Sequence, residues 1–509
     1  MIPKITEKPT MMIAGPGAGK TTDMVTRIVE AIPELKSNRI LAAITFTNAA
    51  TNSIKSRLQN QIQIPPNVFV GTNYSFFNQF ILIPFASLFG YIGNDKVFLE
   101  IDVKKIVDKI PHNKKIPAMR NMIRSNVVGK LLREGKVPFG QIARISAKLM
   151  EDAKVRGIVC NRIQFLFKDE FQDTDTVQLK IFDAIRKAKK TEMYAVGDPE
   201  QYILGFTYDL RGVKKPSFDK IPINRFCKKC EEYQLDINRR ACEQIVNFTN
   251  RFHTSIQQVS EVGPTKNGGV FFIEHTDLDI VISKFIEMTE EVIEACEESK
   301  RLFLGYENKT YEGFIEKYGL IPISNEHKRE KSILAESLDI ISSTTQLSRK
   351  AIREEHNLKR VELRKLAIRL MKAIMAENIG TKDELIEFIK NDLGIPCMNG
   401  AVAIDATLNR LCFLLKKESE ASVHNFHSSI HKAKGLEAEC VLVVAEKLKE
   451  LQKWIETEFK KRCEDKKDTC RIGFVGFTRA KQILCIGCKA SIGATVKEKL
   501  KNLGVTFIE

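Results

Sequence analysis

The sequence has no apolar run that could cross a bilayer. Its richest apolar stretch, residues 80–89, falls well short of the roughly 18 residues a membrane span needs. Residues 1–10 are too polar for a secretory signal peptide. Internal repeats and low-complexity tracts are missing as well, so nothing suggests a solenoid or a disordered tail. The 12 cysteines are scattered, many of them in apolar segments, and provide no disulfide framework. These absences point to a cytoplasmic protein with reduced thiols and no membrane partner. Acidic residues are the scarcer charge, 64 against 80 Lys and Arg, which leaves a formal net charge of +16. A surplus of that size favours polyanions, nucleic acid among them.

The 509 residues exceed what one hydrophobic core organises, since cores stop growing at about 250–300 residues. Hydrophobic residues at 43% and charged residues at 28% are ordinary for a globular chain. Short apolar runs alternate with amphipathic helical patterns, the mark of an α/β protein. Strands are expected over 10–14, 40–45, 68–71, 164–168 and 193–196, each leading through a loop into a helix. That order suits a parallel sheet whose C-terminal edge carries the ligand. A second set begins near Tyr233 and resumes over 269–274, 301–305, 440–445 and 482–486. Basic helices over 119–134 and 139–152, and charged helices such as 349–377, interrupt the two sets.

The strongest motif runs from Ala14 through Gly15, Pro16, Gly17, Ala18, Gly19 and Lys20 to Thr21 and Thr22, and fits the P-loop pattern with Ala14 in place of its first glycine. Glycines let backbone N–H groups turn inward around phosphate oxygens, at the positive end of the following helix. Lys20 would reach the β- and γ-phosphates, and the Thr21 hydroxyl would hold Mg²⁺. The other half of such a site is a carboxylate at the end of a second strand. Asp169 and Glu170, after the apolar run 164–168, supply it: Asp169 for the Mg²⁺ shell, Glu170 for the attacking water. Lys168 is out of place in that strand, as an edge residue or as an ion-pair partner.

At Asp169-Glu170-Phe171-Gln172-Asp173-Thr174 the chain resembles the UvrD/Rep branch of superfamily 1 helicases. Further segments resemble the motifs of that family in order. Thr45-Phe46-Thr47-Asn48 and Gly71-Thr72-Asn73-Tyr74-Ser75-Phe76 resemble its two single-strand-binding motifs. Gly197-Asp198-Pro199-Glu200-Gln201 resembles the motif in which Gln201 would sense the γ-phosphate. Asn238-Arg239-Arg240 would place Arg240 on that phosphate. His431-Lys432-Ala433-Lys434-Gly435-Leu436-Glu437 resembles the fifth motif, with Glu437 on the nucleotide side. Phe477-Thr478-Arg479-Ala480-Lys481 resembles the sixth, with Arg479 as arginine finger.

The resemblance implies two RecA-like parallel-sheet P-loop domains, each carrying a compact, mainly helical insertion. The first would comprise 1–83 and 153–222, interrupted by 84–152; the second 223–325 and 418–509, interrupted by 326–417. It implies ATP and Mg²⁺ as cofactors and single-stranded or tailed duplex DNA as partner, with 3′→5′ movement. Thr45, Phe46, Thr72, Tyr74, Phe206 and His431 would meet the nucleic acid. The chain departs from the family in having no glutamine before Lys20 to read adenine, and in carrying Tyr74 where a histidine is usual. Only a strand and a short tail are expected after Lys481, leaving no room for a fused nuclease. Its size and compact insertions resemble the helicase-like subunit of the Gabija anti-phage system, which implies a separate nuclease of the OLD type. The alternative is a nucleotide switch that activates such a nuclease with little unwinding. The pairs Cys227/Cys230 and Cys485/Cys488 read as core thiols rather than zinc ligands.

Overall fold

Five strands of the first lobe are almost wholly apolar or flanked by apolar residues, and a sixth closes its edge. The strands follow the chain as β1 (Thr10–Ala14), β2 (Ile40–Thr45), β3 (Val68–Thr72), β4 (Phe98–Ile101), β5 (Lys136–Pro138), β6 (Ile163–Lys168), β7 (Glu192–Gly197) and β8 (Glu231–Leu235). All but β4 and β5 form one parallel sheet in the order β3-β2-β6-β7-β1-β8. The computed structural model describes residues 8–93, 98–101, 117–210, 214–295, 300–323, 333–345, 349–376, 379–391 and 424–508, with isolated positions at 103, 106, 107, 110, 394, 395, 408 and 411.

The central strands β1, β2 and β6 are buried at every position because helices cover both faces. Alternate side chains feed two separate cores. Met11, Ile13, Ala42, Ile44 and Leu166 enter one, and Met12, Ala14, Leu41, Ala43 and Phe165 the other. The first insertion is not independent of this lobe: Ile142, Ile145 and Leu149 of helix Phe139–Leu149 join the first of those cores. β4 and β5 pair only with each other.

β9 (Ile237–Asn238) and β10 (Val259–Ser260) form a short ladder at the start of the second lobe. β11 (Gly269–Ile273), β12 (Lys300–Gly305), β13 (Ile321–Pro322), β14 (His424–Ser429), β15 (Ala438–Ala445), β16 (Ala480–Cys488) and β17 (Thr506–Ile508) make its parallel sheet. Their order is β13-β14-β12-β15-β16-β11-β17. Cys485 lies inside β16 and is buried there, whereas Cys227 is buried in the first lobe.

Two readings from sequence shift. The first sheet continues through β8, past the boundary expected at residue 222, because Glu231–Leu235 pairs with Thr10–Ala14 along its whole length. As an edge strand it alternates between half-buried and exposed, and the charges of Glu231 and Glu232 hide it from an apolar-run reading. The helix expected over 349–377 is two, Arg349–Glu355 and Arg360–Met375, with Asn357 between them at φ 47°. Asparagine tolerates that left-handed turn, which ends a helix. These helices, with Ile333–Thr345 and Lys382–Asn391, share a core of their own around Leu338, Leu363, Leu370 and Leu385. Among the described residues no helix is long and apolar enough to cross a membrane.

Candidate active site between the lobes

β1 ends at Ala14 and the chain turns through 15–19 into helix Lys20–Ala31. Gly17 (φ 73°) and Gly19 (φ 78°) take left-handed conformations that only glycine enters freely. Gly19 caps the helix without a side-chain acceptor, so the first-turn amides are left to a ligand. Lys20 Nζ folds back and donates to the carbonyls of Ala14 (3.2 Å) and Gly15 (3.1 Å). Burial lowers its pKa and Arg240 adds to this, against Glu170, Asp198 and Asp169.

Asp169 follows β6, its N–H bonded to the Ile44 carbonyl of β2 at 2.8 Å. Its carboxylate accepts from the Glu170 N–H at 2.9 Å. Glu170 itself sits at φ 49°, a strained conformation for a residue with a side chain, which turns the carboxylate out of the sheet edge. Gln172 holds that carboxylate through its amide nitrogen. Burial raises the Asp169 pKa, and the neighbouring Glu170 charge raises it further. Burial acts on Glu170 too, but Lys434, Lys20, Gln172 and Arg479 outweigh it and hold Glu170 below its ordinary range. A paired acid and base environment of this kind is what water activation requires.

Lys168 is neither at an edge nor on the surface. It stands in β6 between β2 and β7, is 0% exposed, and donates to the Asp169 carbonyl. Burial brings its pKa down to about 8, against the pull of Asp169, Asp173 and Glu170.

The second lobe reaches this loop with two arginines. The Arg239 N–H donates to the Gly17 carbonyl at 3.0 Å, and Asn238 Nδ2 to the Pro16 carbonyl at 2.9 Å. A Cβ on Gly17 would stand 2.8 Å from the Arg240 Cβ. Arg240 is aimed by Glu437, its partner at 2.6 Å, and by the Thr478 carbonyl at 3.1 Å. Glu437 thus positions an arginine, a task distinct from the nucleotide contact expected of it. Arg479 is anchored by the carbonyls of Val475 (2.9 Å) and Leu436 (3.2 Å) and reaches Gln201 Oε1 at 3.5 Å. Burial and the neighbouring Arg240 bring its pKa down to about 9, against Glu170, Glu437 and Asp198. Lys20, Glu170, Gln201, Arg240 and Arg479 therefore face one space, although they come from two lobes. Thr21 and Asp169 offer a hydroxyl and a carboxylate, the hard oxygen donors Mg²⁺ takes, and the unfavourable burial of Asp169 beside Glu170 is what a cation relieves.

Sequence gave no sign of the buried ion pairs that seal the seam. Asp198 accepts from His253 at 2.9 Å, Glu200 meets Arg462 at 3.0 Å and Arg471 at 3.4 Å, and Lys434 meets Asp173 at 2.6 Å. Lys215 pairs with Asp468. Their partners lie far apart in the chain, and only packing unites them.

The nucleic-acid candidates fall on an open face beside this seam. Phe46 is 39% and Phe206 44% exposed, and Phe206 meets the His431 ring edge-on at 5.4 Å. Tyr74 lies against Phe139 with ring centroids 4.0 Å apart, a partner from the first insertion that sequence did not single out. Thr72 caps helix Asn73–Phe77 and lines a cavity together with Phe46, Tyr74 and Phe139. Thr45 is the exception: it is fully buried, its hydroxyl committed to Thr51 (2.6 Å) and the Thr47 carbonyl (2.9 Å), so it shapes the loop and does not face a strand.

Two parallel-sheet lobes, with a P-loop on one and arginines brought to it by the other, make up the arrangement of the site. Residues 1–207 match the AAA domain family. The chain is similar to the Gabija protein GajB of Bacillus cereus (strain VD045), 28% identical over 244 residues that make up 48% of this chain and 46% of that protein. It is also similar to a probable DNA helicase II homolog of Mycoplasma capricolum, 25% identical over 291 residues, covering 48% of this chain and 39% of the relative. With the ATP-dependent DNA helicase PcrA of Staphylococcus aureus (strain Mu50) it shares 24% identity over 285 residues, 48% of this chain and 38% of the relative. The chain spans less than half the length of these relatives.

Proposed function

We propose that this chain is an ATP-hydrolysing motor that moves on single-stranded DNA, 3′→5′, in DNA repair or anti-phage defence. The observation that carries the proposal is the approach of Arg240 and Arg479 to the loop around Lys20 and to Glu170. Glu170, kept ionised by its cationic neighbours, accepts a proton from the attacking water. Lys20 and the uncapped amides of the loop bind the phosphates. Arg479 stabilises charge on the transferring phosphoryl group, worth about 10³–10⁵ in rate. Thr21 and Asp169 would hold Mg²⁺, which when bound offsets charge on the phosphates. Because the arginines ride on the second lobe, cleavage and release change the grip between lobes, and a strand lying across both is advanced.

The test is ATP turnover with and without single-stranded DNA, beside Lys20→Ala. Stimulation by DNA that the variant lacks is the expected outcome. Displacement of strands from 3′- and 5′-tailed duplexes then reads polarity. A second reading, a nucleotide switch that governs a partner nuclease of the OLD type, is favoured by the similarity to GajB. Turnover indifferent to DNA would select it.

A further inference from the structure

Asp198 ties together both halves of the chemistry. Its Oδ2 accepts from Gln201 Nε2 at 2.8 Å, which leaves Gln201 Oε1 to face the Arg479 guanidinium at 3.5 Å. Its main-chain N–H donates to Gln172 Oε1 at 3.0 Å, and Gln172 Nε2 donates to the Glu170 carboxylate. Each glutamine thus spends one end on Asp198 and the other on a group of the site. Turning either amide over would set donor against donor and acceptor against acceptor.

Asp198 is 0% exposed, and a buried carboxylate keeps its place only through its donors. Within its own turn, Oδ1 accepts from the Glu200 N–H at 2.9 Å. The other donor to Oδ1 comes from outside the motif: His253 Nε2, also at 2.9 Å. His253 follows helix Glu243–Asn250, is 4% exposed and meets the Phe474 ring edge-on at 5.7 Å. The chain on either side of it is fixed. Phe252 is buried in the second-lobe core, and Thr254 Oγ1 donates to Glu200 Oε1 at 3.0 Å. Resting on the ATP-hydrolysis reading above, we infer that His253 is a positioning residue for phosphoryl transfer. Through Asp198 it sets the direction in which Gln201 meets Arg479, and it steadies the turn that holds Gln172 on Glu170. The phosphates are gripped elsewhere, by Lys20 and the loop amides. Loss of the His253 bond therefore falls on kcat and spares nucleotide affinity.

Steady-state ATP turnover of the full chain with single-stranded DNA, beside direct binding of a fluorescent ATP analogue, tests this. His253→Phe keeps a ring against Phe474 but removes the donor, and His253→Asn keeps an amide too short to reach Asp198. His253→Gln places an amide N–H close to where Nε2 stands. The first two are expected to lower kcat on the order of 10²-fold, the cost of misaimed groups, with KM and analogue binding unchanged. His253→Gln is expected to recover most of the rate, which a role in packing alone would not give. Thermal melts confirm folding, and should His253→Phe not fold, His253→Asn and His253→Gln carry the comparison. Wild-type kcat in the folded variants that lack the donor, an equal loss in His253→Gln, or a loss that appears in KM overturns the inference. If the wild type hydrolyses no ATP, the motor reading falls and takes this inference with it. Normal turnover in the wild type and in all three variants sinks the inference alone.

Discussion

In the seam between the lobes buried charges are paired: Asp198 with His253 at 2.9 Å, Glu200 with Arg462 at 3.0 Å, Asp173 with Lys434 at 2.6 Å. In the cavity next to it, Asn73, Asn78 and Thr174 keep side-chain oxygens without partners, between aromatic walls. The contrast separates two tasks. Charge in a low-dielectric seam is tolerated only when its partner is in place, and these pairs have theirs. The oxygens of Asn73, Asn78 and Thr174, by contrast, have no partner in place.

That contrast can be broken at several points. Arg479→Ala should have the largest effect, lowering kcat for ATP by about 10³–10⁵ with little change in nucleotide affinity, as steady-state turnover would show. Glu200→Ala takes the carboxylate from the buried Arg462, while Arg471 keeps Asp468 at 3.6 Å, and should cost about 3–5 kcal/mol of stability in chemical denaturation. On the other side, Tyr74→Ala removes a ring from the Phe139 pair, and a stacked base is worth about 1–3 kcal/mol. The strand concentration at half-saturation should rise accordingly, while Glu200→Ala is read out in stability.

The smallest expected effect is in pH. Burial opposes the charge of His253, but Asp198 and Glu200 outweigh it and raise the His253 pKa above 6.5. Its contribution to stability is complete below the unfolded value and is lost as pH rises through the folded one. Asp198 runs the other way: held down at about 2 by His253, Lys20 and Gln201 in spite of burial, it contributes above 3.8 and loses that contribution only as pH falls toward about 2. Melting temperatures from pH 6 upward should therefore decline in the wild type, and His253→Gln should flatten the decline; parallel curves would contradict the pairing.

The P-loop was legible because its chemistry demands glycine at fixed places, and Gly17 and Gly19 do take positive φ. Central strands such as β2 and β6 were legible as apolar runs because both their faces are covered. β8, around Tyr233, was read with the second lobe although it pairs with β1, since an edge strand with charge on its open side does not announce its sheet. Lys168 could be seen as an anomaly but not placed, because its partners Asp169, Asp173 and Glu170 converge on it only in the folded site. The Tyr74–Phe139 contact and the Glu200–Arg462 pair leave no local trace, as each joins segments that sequence spacing does not relate. Motif position marked Arg240, yet only the structure shows Glu437 aiming it.

Hydrogen exchange with a non-hydrolysable ATP analogue and Mg²⁺ would examine the grip between lobes most directly. Amides of the loop 15–21 and of the second-lobe segments around Glu437 and Arg479 should slow together, and in Lys20→Ala neither set should respond. Slowing confined to the first lobe, with the segments around Arg240 and Arg479 unaffected, would contradict a nucleotide held between two lobes.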